Sequence, residues 1–114
     1  MNTTAHPPRP ERPQRISPEA LPALLASMPH WRYSPERGGL IQRDLVFADF
    51  AQAFGFMAQL ALIAEKADHH PEWSNVYHRV SITLTTHDAP GLSQRDIDLA
   101  RHADRIAACL QAAP

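Results

Sequence analysis

The sequence predicts an α+β two-layer domain: a four-stranded antiparallel sheet with three helices on one face, in the order α-β-β-α-β-β-α. Three observations carry this prediction. Phe50, Ala53, Phe54, Met57, Leu60, Ala61 and Ala64 recur at steps of three and four, the period of a helix with one buried stripe. Val80, Ile82 and Leu84 alternate with Ser81, Thr83 and Thr85, the period of a half-buried strand. Ser93-Gln94-Arg95-Asp96 has the form of a capping box and opens a further stripe of Ala100, Ala103, Ile106, Ala107 and Leu110.

Each element follows from local signals. Ser17 is placed to cap a first helix with Pro18 at its first position, and Leu21, Leu24, Leu25 and Met28 form an apolar stripe. Pro22 conflicts with so early a start, because it lacks the N–H that the second turn needs; this moves the start toward Leu21. Pro29 ends the helix. Trp31-Arg32-Tyr33 reads as a short strand, Ser34 to Gly39 as a hairpin loop, and Leu40 to Phe47 as the returning strand. Asp49 is placed to cap the long central helix, with Gln52 at the reciprocal position. Phe56 and Ile63 widen its stripe, so much of this helix is expected to be buried. Pro71 disfavours helical geometry at His70 and sets the end near there. Trp73 to Tyr77 forms a third strand, with His78-Arg79 as the change of direction before Val80. Pro90-Gly91 is a turn, and Leu92 and Ile97 are spaced as a hydrophobic staple. Short neighbouring strands favour antiparallel pairing, and amphipathic helices need a sheet face to cover. The other face then carries the hydroxyl side chains and His87.

Composition narrows the function classes. With 114 residues, 44 % of them hydrophobic, the chain suits one domain with a substantial core. In residues 1–16, Pro7, Pro8, Pro10 and Pro13 alternate with Arg9, Arg12 and Arg15. Almost nothing there is apolar, so this reads as a disordered tail ahead of a folded domain at 17–114. A formal net charge of -1 provides no broad basic field, which argues against nucleic acid and anionic membrane as partners. No apolar run reaches the length of a membrane span, and the N-terminus shows no signal-peptide core. Cys109 is the only cysteine, which excludes an internal disulfide and fits a reducing, cytoplasmic setting.

Candidate chemistry concentrates where the central helix must stop. His69 and His70 are adjacent there, and Glu65 lies one helical turn before His69, spaced to share its face and hydrogen-bond. His87 closes the alternating run. Histidine titrates nearest neutrality, so three convergent imidazoles suit proton transfer or metal binding. Adjacent histidines on one backbone rarely converge on one ion, and no cysteine or His-x-x-x-His pair supports a metal site, so no metal is expected.

The blocks Asp49-Phe50-x-x-Ala53-Phe54-Gly55-Phe56-Met57, Ala64-Glu65-Lys66-x-Asp68-His69-His70-Pro71-Glu72-Trp73-x-Asn75-Val76-Tyr77, Val80-x-Ile82-x-Leu84-x-Thr86-His87 and Gly91-Leu92-Ser93-x-Arg95-Asp96-Ile97 resemble the pterin-4a-carbinolamine dehydratases. The resemblance runs from about Leu21 to Leu110. It implies dehydration of a 4a-hydroxytetrahydropterin to the quinonoid dihydropterin, a step that recycles the cofactor of aromatic amino acid hydroxylases such as phenylalanine hydroxylase. That elimination needs an acid for the leaving oxygen and a base for N5–H, and it requires no cofactor. The resemblance makes His69 and His87 the acid/base candidates, with His70 binding or orienting the pterin. It also implies homodimers, and sometimes tetramers.

The same residues carry plainer readings. His69 would suit the helix C-terminus as a cation. Glu65 either tunes a histidine or is a surface carboxylate. Pro71 sets the bend. Trp73 is a core residue or flanks the pterin ring, and Asp96 is the capping-box acid or a contributor to catalysis. A protein-binding role, as coactivator or assembly module on the same fold, is the alternative function. The run Val80 to Thr86 has no proline and no charge, so as an exposed sheet edge it would recruit a second chain.

Overall fold

A computed structural model describes residues 13–88 and 91–111 of the chain. The expected tail up to residue 12, Pro90 of the expected turn, and residues 112–114 lie outside that range. The elements are α1 (Leu21–Ala26), β1 (Arg32–Ser34), β2 (Leu40–Val46), α2 (Phe50–Ala67), β3 (Glu72–Val76), β4 (Arg79–Leu84) and α3 (Gln94–Gln111). A short 3-10 turn, Glu36–Gly38, joins β1 to β2. This is the α+β arrangement the patterning predicts. No helix among the described residues is long and apolar enough to cross a membrane.

The proline conflict resolves toward the later start. Ala20, not Ser17, precedes α1, which puts Pro22 in the first turn where its missing N–H costs nothing. Ser17 serves the preceding turn, accepting from the Ala20 N–H through both its carbonyl and its hydroxyl. Ordered contacts begin before Ser17: Arg15 bridges Ser93 and donates to the Gly38 carbonyl, and Ile16 packs against the core. At α2, Asp49 accepts from the Gln52 N–H at 2.8 Å. The reciprocal bond is displaced by one residue, with Gln52 accepting from the Ala48 N–H.

The strands run in the order β1-β2-β4-β3, all antiparallel. This corrects the edge expectation. The Val80 run is an interior strand paired on both sides, and β1 and β3 are the edges. Helix α2 carries the chain past the sheet to β3, and the tight Tyr77-His78 turn then folds β4 back into the gap beside β2. Register places Ile41 opposite Leu84 and Leu45 opposite Val80, all buried under the helices. Ala53, Phe56, Leu60 and Ala64 of α2 meet Ile97, Ala100, Ala103 and Ala107 of α3 in the same core. Burying a side chain the size of Phe56 or Leu60 stabilises the fold by about 1.5–3 kcal/mol. The helix stripe is narrower than its spacing suggests: Phe50 and Phe54 are 49 % and 58 % exposed, and Ala61 is also exposed.

Candidate active site

The end of α2 determines where the histidines point. The helix stops at Ala67, earlier than Pro71 alone requires, because Asp68 takes the left-handed conformation (φ 54°). The His69 N–H then bonds the Ala64 carbonyl at 3.1 Å and the Asp68 N–H bonds that of Glu65 at 3.2 Å. This is the helix-ending pattern normally built on glycine; aspartate is among the few other residues that tolerate it. The reversal turns His69 inward, where it is buried, and leaves His70 exposed.

His69 Nε2 lies 2.6 Å from Asp96 Oδ1. Asp96 is fully buried at the N-terminus of α3. Its other oxygen accepts from the Thr86 hydroxyl at 2.6 Å and the Ser93 N–H at 3.0 Å. The last contact is half of the expected capping box. The Ser93 hydroxyl, which would complete the box, is paired with Thr86 Oγ1 at 2.7 Å. Asp96 is therefore both the capping acid and the carboxylate that holds His69. A helix N-terminus and three hydrogen-bond partners offset the cost of burying it. With Nε2 occupied, Nδ1 of His69 has no hydrogen-bond partner among the described residues.

Glu65 does not bond His69 as its spacing suggests. Once α2 ends, Oε1 of Glu65 meets His70 Nε2 at 2.8 Å, and both side chains are more than half exposed. His87 is exposed beyond β4, with Nε2 at 3.7 Å from Glu72 Oε2. Glu72 is clamped by Arg37 through parallel bonds of 2.9 and 2.7 Å. The Arg37 hydrogen bonds, with smaller help from its charge and that of His87, hold the Glu72 carboxyl below the ordinary glutamate range against an opposing effect of burial. The same pairing raises Arg37 above its ordinary value.

These side chains border one cleft of about 400 Å³, lined by Asp68, His69, His70, Pro71, Glu72, Thr85, Thr86, His87 and Asp88. Four of the sequence candidates, His69, His70, Pro71 and His87, thus come together. Asp96 stands behind His69, and Glu65 stands outside, against His70. Trp73 is partly buried against the core and does not line the cleft. The three imidazoles do not converge on a point, and no group of three or more His, Cys, Asp or Glu among the described residues could hold a metal ion.

Residues 14–106 match the family described as Pterin 4 alpha carbinolamine dehydratase. The chain belongs to that family. A provisionally named pterin-4-alpha-carbinolamine dehydratase from Novosphingobium aromaticivorans is 59 % identical over 87 residues, covering 76 % of this chain and 90 % of that protein. A solved structure from Brucella melitensis, described as a transcriptional coactivator/pterin dehydratase, is 45 % identical with a TM-score of 0.77 and covers 82 % of this chain and 99 % of that one. A pterin dehydratase-like protein identified as a RuBisCO assembly factor in the alpha-carboxysome shares the fold, with a TM-score of 0.59 at 24 % identity over 68 % of this chain and 88 % of that one.

For a member of the pterin dehydratase family, the sequence reading missed Asp68, Thr85, Asp88 and the Arg37–Glu72 pair at this cleft. Thr85 carries a readable signal, as a hydroxyl at the end of an alternating strand; it donates to the Gly39 carbonyl at 2.8 Å. The Arg37–Glu72 pair carries none, because its members lie 35 positions apart on different elements.

Proposed function

We propose that this chain dehydrates a 4a-hydroxytetrahydropterin to the quinonoid dihydropterin. The observation that carries the reading is that His69, His70 and His87 border one cleft while a buried carboxylate fixes His69. In the reaction the C4a–O bond breaks and hydroxide leaves, taking a proton to become water. The N5–H bond breaks, and its electron pair forms the C4a=N5 double bond. Asp96 accepts from Nε2–H of a neutral His69, which leaves Nδ1 with a free lone pair for the N5 proton. His87, which borders the same cleft, protonates the departing oxygen. His70, steadied by Glu65, holds the ring. Such general acid–base assistance is typically worth ~100- to 10,000-fold. The product is then reduced, which recycles the cofactor of an aromatic amino acid hydroxylase such as phenylalanine hydroxylase. The deciding experiment follows the decay of 4a-hydroxytetrahydropterin with purified protein. Acceleration that His69→Ala abolishes supports the reading, and a rate equal to the buffer rate overturns it.

A second role, as a protein-binding module, is favoured by a different feature. Val46, Phe50, Phe54, Val76 and Tyr77 are large apolar side chains left exposed. Val46, Val76 and Tyr77 lie at the end of the sheet away from the cleft. The coactivator description of the Brucella protein is consistent with a surface of this kind.

A further inference from the structure

Glu72, which lines the cleft with Asp68 and Asp88, is clamped by a cation from another element. Arg37 sits at φ 57° in the turn between β1 and β2, a left-handed conformation that a non-glycine residue adopts at a cost. From there its guanidinium grips both oxygens of Glu72, which fixes the plane of the carboxylate. A carboxylate offers about four lone-pair sites, and Arg37 takes one on each oxygen. Oε2 also stands 3.7 Å from His87 Nε2, beyond hydrogen-bond distance, so a lone pair there remains for a donor in the cleft.

Building on the pterin reading above, we infer that Glu72, oriented by Arg37, accepts from the N3–H and 2-amino edge of the pterin and selects that edge over ring systems presenting an oxygen there. The donor chemistry matches, because this edge of a 2-amino-4-oxopyrimidine carries adjacent N–H groups and a fixed carboxylate is their natural acceptor. The spacing matches as well. N3 is two bonds from C4a, so the group taking N3–H must stand beside the group serving C4a, and Glu72 stands beside His87. The clamp also lowers the pKa of the carboxyl, which favours the ionised form that accepts through both oxygens. Glu72 is thus a binding residue and Arg37 a positioning residue.

Pterin and lumazine test this inference, because they differ in carrying an amino or an oxo group at C2. Binding is read from ligand fluorescence, with circular dichroism melts confirming that each variant is folded. The wild type should prefer pterin by about tenfold, the lower range for a hydrogen bond to a charged group at a half-exposed site. In Glu72→Gln the amide can donate to the 2-oxo group, so the preference should fall to near one or invert. Arg37→Gln keeps the carboxylate but frees its orientation, and should reduce the preference by a smaller factor; a merely structural role would weaken both ligands alike. An unchanged pterin-to-lumazine ratio in Glu72→Gln overturns the inference while leaving the pterin site intact. Failure of the wild type to bind either ligand overturns the pterin reading itself, and this inference with it.

Discussion

At the scale of single residues, the proposed reaction divides the cleft into groups that act and groups that hold them. His69→Ala or His87→Ala should lower kcat, by about 100-fold or more, with a smaller effect on KM, whereas His70→Ala should raise KM at least as much as it lowers kcat. Near-wild-type turnover in the double variant His69→Ala, His87→Ala would remove the assignment. Asp96 differs in kind, because it is buried and has three partners. Asp96→Ala leaves a Thr86 hydroxyl, a Ser93 N–H and a histidine without their acceptor, and should cost about 3 kcal/mol of stability by urea denaturation as well as activity. A variant with wild-type stability would show that the carboxylate is not needed to hold the cleft. Glu72 makes a prediction with a sign. Its folded pKa is lowered by Arg37, so the stabilisation from the pair is present above the ordinary glutamate range and is lost as pH falls through the lowered value. The difference in Tm between the wild type and Arg37→Gln should therefore be largest near neutrality and vanish in acid. A difference that grows on acidification would contradict the pairing.

At the scale of elements, what was legible in the sequence was local. The Asp49 cap, the alternation of Val80, Ile82 and Leu84, and the carboxylate half of the Ser93 box are each written within a few residues, and each appears where its spacing puts it. What was not legible depends on distant partners or on one dihedral. The left-handed Asp68 moves the end of α2 and passes Glu65 from His69 to His70, and spacing on a continued helix cannot anticipate that switch. Strand order was hidden as well, because alternation marks a half-buried strand without saying whether it lies at the edge. The approach to His87 shows the same dependence on distant contacts. Thr86 bonds the Gly91 carbonyl through its N–H, and Gly91 at φ 116° packs so closely that a Cβ there would stand 2.4 Å from the Gly38 carbonyl oxygen. Gly91→Ala should therefore cost about 2 kcal/mol and loosen the segment that presents Thr86 and His87. Urea melts that superimpose on the wild type would show that the segment absorbs the methyl group without strain.

At the scale of the whole molecule, one chain leaves surface that a second copy would cover. The edges of the sheet are β1, of three residues, and β3, of five. Unpaired edges recruit other chains unless proline, lysine or a bulge blocks them, and β3 (Glu72-Trp73-Ser74-Asn75-Val76) has neither proline nor lysine. Its only charge, Glu72, sits at the end near the cleft, and its far end carries the exposed Val76 beside Tyr77. Pairing β3 with its own copy across a two-fold axis would extend the sheet to eight strands and cover part of the exposed Val76. The exposed Phe50 and Phe54 of α2, with ring centroids 6.0 Å apart, supply a separate apolar face through which dimers would form tetramers. The expected outcome by light scattering at micromolar concentration is at least twice the chain mass of 12.7 kDa. Val76→Lys places a charge on the pairing edge and should shift the population toward the single-chain mass, whereas Phe54→Asp should leave dimers while removing any tetramer. A wild-type mass of one chain would defeat the edge argument. Dimers that survive Val76→Lys and dissociate in Phe54→Asp would move the primary contact from the sheet to the helix.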